Sequence, residues 1–278
     1  MPELPEVETI RRELAPLLVG RRITAVEVRR PDIVGWPSPA EFSREAVGRR
    51  VTGVARRGKY LVIELAGREL VIHLRLSGHL AVRSAAEPPA RHERCRFRLS
   101  GGRALILVEP RVLGRVYLVR PGAYPAVLKG MLGMGPEPVS PGFTAGFLAG
   151  RLAGRRAAVK SLLLDQRVCC GVGNIYSDEA LFRAGIRPER PAGSLDADEV
   201  RRLAASLRRV TSDGIRWCGT TLGDGRYQRP GSQSGEFQRR LRVYGRAGER
   251  CRRRGCRGVI RKVKLGNRGS SYCPVCQR

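Results

Sequence analysis

The chain's 278 residues provide for one large or two ordinary domains with cores of their own, two being the better expectation, and they argue against a disordered chain or a disulfide-stapled miniprotein. Lysine and arginine number 53 against 25 acids, a net charge of +28, and only five of the 53 are lysines (Lys59, Lys129, Lys160, Lys262 and Lys264), so guanidinium forks suited to phosphates and guanine edges should seek nucleic acid ahead of a membrane. No window approaches the roughly 18 uninterrupted apolar residues of a spanning helix, and Glu3, Glu6 and Glu8 stand where a secretory leader would be basic and then apolar, which points to a soluble intracellular protein.

Val7, Ile10, Leu14, Leu17 and Leu18 fall on one helical face, and Pro5 suits a first turn. Pro16 and Gly20 predict that this leading helix ends or kinks near residue 15. From Arg21 to about Arg120 come short β-type runs, at 23–28, 60–65, 70–74, 95–99, 104–108 and 116–119, separated by Gly, Pro and charge; the spacing predicts an antiparallel sandwich. Residues 121–142 carry Pro121, Pro125, Pro136, Pro138 and Pro141 with several glycines and read as a linker. Helical patterns follow near 144–153, 157–167, 174–184 and 196–217, with Gly171-Val172-Gly173-Asn174 as a tight turn and Asn174 placed to cap the third helix. Residues 219–237, rich in Gly, Ser, Gln and Asp, form a loop long enough to be functional or mobile.

Residues 239–278 hold 14 basic side chains and one acid, Glu249, too little for a core without a metal. A Gly266-Asn267 turn between 259–265 and 269–272 supplies the hairpin of a zinc ribbon. Of the eight cysteines only Cys251, Cys256, Cys273 and Cys276 are grouped, as C-x4-C, sixteen residues, then C-x2-C. In a reducing compartment paired pairs read as metal ligands, and four thiolates close a tetrahedral site with no open position, so one structural Zn2+ is predicted. Cys95, Cys169, Cys170 and Cys218 lie in apolar stretches and read as small buried hydrophobes.

The N-terminus can carry chemistry of its own. Met before Pro is normally excised, leaving Pro2 with a secondary α-amine whose reference pKa of about 7.7 to 8.0, against about 10.4 for lysine, makes it a nucleophile near neutral pH. Such an amine can add to a sugar C1′ and form an iminium, with Glu3 beside it to move protons. Taken alone, these residues read more simply as the start of a helix.

Residues 1–9, Met1-Pro2-Glu3-Leu4-Pro5-Glu6-Val7-Glu8-Thr9, resemble the opening of the bacterial formamidopyrimidine-DNA glycosylases. Three further blocks agree, in the same order: Gly58-Lys59-Tyr60-Leu61, His73-Leu74-Arg75-Leu76-Ser77-Gly78 and Gly171-Val172-Gly173-Asn174-Ile175-Tyr176. Gln166 through Pro188 resembles that family's helix-two-turn-helix element, and Val243-Tyr244-Gly245-Arg246 with the cysteine hairpin resembles its zinc finger, so the likeness spans essentially the whole chain. It implies an α+β multidomain protein: an N-terminal catalytic β-sandwich with a leading helix over 1–125, a linker over 126–142, a helix-two-turn-helix domain with a lesion loop over 143–237, and a β-hairpin zinc finger over 238–278. It further implies a monomer in the bacterial cytoplasm, associated with the nucleoid. That monomer would bind double-stranded damaged DNA between its two domains, excise 8-oxoguanine and formamidopyrimidines, and cut the strand at the abasic site by β,δ-elimination.

Under the same resemblance Pro2 matches the Schiff-base nucleophile, Glu3 the acid/base at the sugar, and Lys59 the lysine that closes on lesion and phosphate. Asn174 and Arg268 match phosphate-binding residues, Arg268 counting with the catalytic set, and His73 and Tyr244 join the same phosphate track. An enzyme that everts a base must fill the gap and read the orphaned partner; Leu76, Arg111 and Leu113 match those positions, Arg111 reading a cytosine. The family often has Met and Phe where Leu76 and Leu113 stand, and usually C-x2-C where this chain has C-x4-C. Two rivals remain at this level. An endonuclease VIII-like enzyme for oxidised pyrimidines usually has Gly where Leu4 stands, and a catalytically silent zinc-finger DNA-binding protein would make Pro2, Glu3 and Lys59 accidental.

Overall fold

The leading helix, α1 (Leu4–Leu18), runs through Pro16 instead of stopping near residue 15. In this computed structural model, which describes residues 1–124, 126–223, 225 and 227–278, the reason is burial: Val7, Ile10, Leu14 and Leu18 are each at most 1% exposed. Only Leu18 lies beyond the proline, and its burial on the same face, at about 1.5–3 kcal/mol, offsets most of the roughly 3 kcal/mol of an interior proline. Pro125, where the predicted N-terminal domain ends, and Asp224 and Arg226 of the long loop lie outside the described residues.

α1 packs on a two-layer sandwich. In one layer β1 (Ile23–Val28), β7 (Glu93–Leu99), β8 (Arg103–Val108) and β6 (His79–Ser84) lie side by side, all antiparallel. In the other the order is β2 (Val34–Trp36), β9 (Arg115–Val119), β5 (Arg68–His73), β4 (Tyr60–Leu65) and β3 (Val51–Arg57). The predicted antiparallel pattern holds except at β2, which pairs parallel to β9. β3, β6, β2 and a short helix α2 (Pro39–Ala46) had no clear sequence signal: β3 contains Gly53 and two arginines, and β6 alternates His79 and Arg83 with its apolar residues. These strands form because their neighbours already present a full row of hydrogen-bonding groups. Phe42, Phe97, Leu61, Ile63, Ile72 and Leu107 fill the core between the layers.

The chain divides into two compact units, Met1–Leu132 with Trp217–Gln238, and Gly133–Arg216 with Arg239–Arg278. The first unit therefore takes in the segment 217–238, which sequence order attaches to the helical part. Side chains on one face of α1 hold it there: Glu6 accepts from the Thr220 N–H at 2.7 Å, Glu13 pairs with Arg229, and Tyr227 is buried in the sandwich core.

The second unit holds α3 (Ala145–Leu152), α4 (Val159–Leu164), α5 (Asn174–Ala184) and α6 (Ala197–Arg216), followed by the hairpin β10 (Arg261–Leu265) and β11 (Arg268–Tyr272). α5 covers the predicted span, but its N-cap is Gly173, and Asn174, expected to cap the helix, is its first helical residue. The Asn174 Oδ1 is buried without a hydrogen-bond partner among the described residues, so it is not engaged in capping. Gly185, at φ 78°, closes the helix in the left-handed conformation. Among the described residues no helix is long and apolar enough to cross a membrane.

Candidate active site and nucleic-acid interface

The N-terminal residues are set by a helix start. Glu3 is the N-cap of α1, and its N–H donates to Glu6 Oε2 at 2.8 Å in a capping box. Pro2 is buried, Glu3 is 3% exposed and Glu6 is 1% exposed, so Pro2 rests on a fixed, water-poor platform. Glu6 spends its second oxygen on Thr220, which ties one end of the long loop to the residue pair behind Pro2. Thr221 closes that loop on itself: its hydroxyl donates to the Tyr227 carbonyl at 3.0 Å and accepts from the Gly235 N–H at 2.8 Å.

Lys59 sits in the two-residue turn between β3 and β4, with Gly58 at φ 56°. Arg56 links this turn to α1, donating to Glu8 Oε2 at 3.2 Å and to the Gly58 carbonyl at 3.1 Å. Burial raises the Glu8 carboxyl, but Arg11, Arg12 and Arg56 outweigh it and hold it at about 2, so Glu8 is an anion throughout the working range. Glu6 and Glu8 thus brace Pro2, Glu3 and the Lys59 turn as one framework, a role that residue spacing alone did not reveal.

His73, at the end of β5, packs edge-on against Tyr60 with ring centroids 4.5 Å apart. Its Nδ1 accepts from the Arg75 N–H at 3.1 Å, which leaves Nε2–H as the donor. Burial, then the cations of Arg75 and Lys59, depress its pKa from 6.5 to about 3. Near neutral pH His73 is therefore a neutral hydrogen-bond donor and not a cation. A histidine whose folded pKa lies below its unfolded value contributes stability that is full above pH 6.5 and is lost as pH falls toward 3. Denaturant titrations across that window should show His73→Gln flattening the slope by up to about 1.4 kcal/mol per pH unit; an unchanged slope would mean that the histidine titrates normally.

The remaining first-unit candidates lie on two loops. Leu76 is half-buried on the loop between β5 and β6, while Arg111 and Leu113 are exposed on the loop between β8 and β9, Leu113 at 42%.

In the second unit α5 gathers the rest. Asn174 starts it, and the adjacent acids Asp178 and Glu179 organise its neighbours. Asp178 accepts from the Ser271 N–H of β11 at 2.8 Å and pairs with Lys160 Nζ at 2.6 Å; Lys160 also donates to the Gly269 carbonyl at 3.0 Å. Glu179 accepts from the N–H groups of Arg242, Val243 and Tyr244, all at 2.9 Å at their shortest. The hairpin bearing Arg268 and the turn bearing Tyr244 are therefore both fastened to the helix that Asn174 begins. Two adjacent acids, both buried, in the middle of this helix were the signal for this, and spacing along the chain does not reveal it.

The four grouped cysteines converge. Their Sγ atoms lie within 4.8 Å of one another, with Cys251 to Cys276 at 3.8 Å and Cys256 to Cys273 at 3.6 Å. Zinc with Zn–S bonds of about 2.3 Å spans tetrahedral edges of about 3.8 Å, so the set fits one structural Zn2+. The Arg253 and Gly258 N–H groups point at Cys251 and Cys256 Sγ at 3.4 Å each, which offsets thiolate charge. The extra length of C-x4-C has a use: Arg253 donates to the Phe182 carbonyl and stacks over the Phe182 ring at 5.0 Å, docking the knuckle on α5.

Comparison with known proteins agrees along the chain. Residues 1–116 match the formamidopyrimidine-DNA glycosylase N-terminal domain, 134–224 the formamidopyrimidine-DNA glycosylase H2TH domain, and 248–278 the zinc finger found in FPG and IleRS. The formamidopyrimidine-DNA glycosylase of Moorella thermoacetica is 47% identical over 256 residues, covering 92% of each chain. The crystal structure of the MutM (Fpg) protein from Thermus thermophilus superposes with a TM-score of 0.89 at 41% identity, covering 99% of this chain and 98% of that one. A Lactococcus lactis Fpg mutant in complex with Fapy-dG containing DNA superposes at 0.91 with 32% identity, over the whole of both chains. With three consecutive domains matched and relatives aligned end to end, the chain belongs to the formamidopyrimidine-DNA glycosylase family.

Proposed function

We propose that this protein is a bifunctional DNA glycosylase and abasic-site lyase that removes formamidopyrimidines and 8-oxoguanine from duplex DNA. The observation that carries the reading is that Pro2, Glu3 and the Lys59 turn share one braced framework in a chain of this family. After loss of Met1, the Pro2 nitrogen attacks C1′ of the damaged nucleotide and the glycosidic bond breaks, the base leaving with a proton. Glu3 moves protons at the sugar as the ring opens and the iminium forms. Loss of the C2′ proton then expels the 3′ phosphate, a second elimination expels the 5′ phosphate, and water releases the sugar fragment from Pro2.

Lys59 closes on the lesion and its phosphate. Asn174, Arg268, Tyr244 and His73 grip the backbone, His73 through a neutral N–H. Leu76 and Leu113 fill the gap left by the everted base, and Arg111 donates to the partner cytosine. Zinc holds the finger in shape and takes no part in the reaction. The protein works as a monomer on double-stranded damaged DNA in the bacterial cytoplasm, at the nucleoid.

Excision rates on duplexes carrying a formamidopyrimidine or 8-oxoguanine opposite cytosine or adenine, beside an oxidised pyrimidine, test the reading. The purine lesion opposite cytosine should react fastest; preference for the pyrimidine would transfer the chain to the endonuclease VIII-like branch, and no base release at all would leave a DNA-binding protein. Arg111→Ala should narrow the cytosine preference by roughly 1 to 3 kcal/mol. Arg268→Ala should weaken all duplexes alike and lower the salt slope by about one unit, because one fewer counterion is released. If Arg111→Ala slows both partners equally, that side chain is one more phosphate contact.

A further inference from the structure

The two loops bearing Leu76, Arg111 and Leu113 are brought together by topology. Residues 74–78 cross from β5 in one layer to β6 in the other, and residues 109–114 cross back from β8 to β9. Their ends are paired, His73 with Arg115 and His79 with Val108, so the crossings run side by side at one edge of the sandwich. Neither loop is relaxed. Arg75 (φ 52°) in the first and Val112 (φ 55°) in the second occupy the left-handed region, which is unusual for arginine and a strained choice for a β-branched residue.

A single buried carboxylate joins them. Glu109 is 0% exposed. Its Oε1 accepts from the Ser77 hydroxyl of the first loop and, at 3.1 Å, from the Arg111 N–H of the second; its Oε2 accepts from the Gly114 N–H at 3.0 Å. One glycine from each loop makes room for it, since a Cβ on Gly78 or Gly114 would lie 3.1 or 3.0 Å from Oε2. Its own backbone is held in turn, the N–H donating to the His92 carbonyl at 3.0 Å and the carbonyl accepting from Arg94 Nε at 2.8 Å. A buried carboxyl group whose hydrogen-bond partners are neutral donors from both loops, with no cation in hydrogen-bond contact with it among the described residues, is retained at a desolvation cost, which points to a geometric role.

We infer that Glu109 is a positioning residue that locks the Leu76 loop and the Arg111–Leu113 loop into one rigid wedge, so that Arg111 meets the partner base in a fixed register. Among the described residues, the hydrogen bonds of its carboxyl group go to Ser77, Arg111 and Gly114. The inference rests on the proposed reading of Arg111 and adds to it the group that sets Arg111's aim. Glu109→Gln keeps the shape but replaces one acceptor oxygen by a donor, which faces either Ser77 and Arg111 or Gly114 and so breaks at least one link. Ser77→Ala removes only the link to the first loop.

The test measures kcat/KM on 8-oxoguanine opposite cytosine and opposite adenine, with cleavage of a preformed abasic site in a single strand, where there is no gap to fill and no partner to read. Arg111→Ala is the control. Glu109→Gln and Ser77→Ala are expected to lower the cytosine-to-adenine ratio by about 5- to 100-fold, the range of a good base contact, while single-strand cleavage stays within about twofold. If Arg111→Ala lowers the ratio and both other variants keep it, the inference is overturned and the reading of Arg111 stands. If Arg111→Ala itself leaves the ratio unchanged, that reading fails and takes the inference with it. If abasic-site cleavage falls as far as lesion excision, Glu109 only supports the fold, and the inference is again overturned. Should Glu109→Gln not fold, Ser77→Ala decides.

Discussion

Borohydride added during turnover of a duplex with 8-oxoguanine opposite cytosine is expected to fix the protein covalently to DNA through its N-terminal residue. In the full chain the Pro2 nitrogen is locked in the amide with Met1; only removal of Met1 makes it a secondary amine able to form and keep an iminium. The fraction of protein that can be trapped should therefore equal the fraction that intact mass shows to begin at Pro2, and protein retaining Met1 should be inert. Glu3→Gln is expected to bind the lesion normally while base release and strand cleavage fall by about 10²- to 10⁴-fold, the usual contribution of a positioned acid or base. Glu3 is 3% exposed and caps α1, so glutamine is the variant that preserves packing. An adduct that maps to Lys59 or another lysine, or normal turnover by Glu3→Gln, would remove the N-terminal assignment.

Loss of zinc should be the second large effect. Cys273→Ser is expected to drop the metal from about one per chain to none and to weaken lesion-DNA binding by roughly 100-fold, about 2.7 kcal/mol. The finger's apolar cluster consists of Phe182, Val243 and Ile260 around Cys251 and Cys273, two of which are the ligands themselves, so little remains to order it when the metal leaves. The hairpin has a second tether, however: Lys160 and Asp178 hold Gly269 and Ser271 from the helical side. Circular dichroism and salt-slope measurements on the metal-free protein should accordingly show the 251–256 knuckle lost and the binding reduced, with α4 and α5 still folded. Unchanged zinc content in Cys273→Ser would refute this ligand set.

Much of this molecule was legible from residue pattern. The runs 23–28 and 60–65 coincide with β1 and β4, and the helical pattern over 174–184 coincides with α5, because each is a self-contained apolar segment closed by turn residues. The zinc hairpin was readable for a different reason: four cysteines on a tail too basic to form a core have one common explanation. Pro2 and Glu3 stood out only through the likeness of the whole opening block, since a Pro-Glu start by itself is an ordinary helix start. β3 and β6 were invisible because their charge and glycine content suits a strand only when neighbouring ladders are already in place.

The sequence by itself determined the local elements, the metal and the polyanion preference, since each depends on residue type, short-range spacing or net charge. Tertiary structure decided which distant groups share a job. Glu6 reaches Thr220 across more than two hundred residues, Asp178 and Glu179 collect β11 and the 242–244 turn, and Glu109 binds two loops that sequence separates by some thirty residues. A buried carboxylate must find donors wherever the fold brings them, because leaving it unsatisfied would cost several kcal/mol; which donors those are is a property of the packed layers and cannot be read from spacing along the chain.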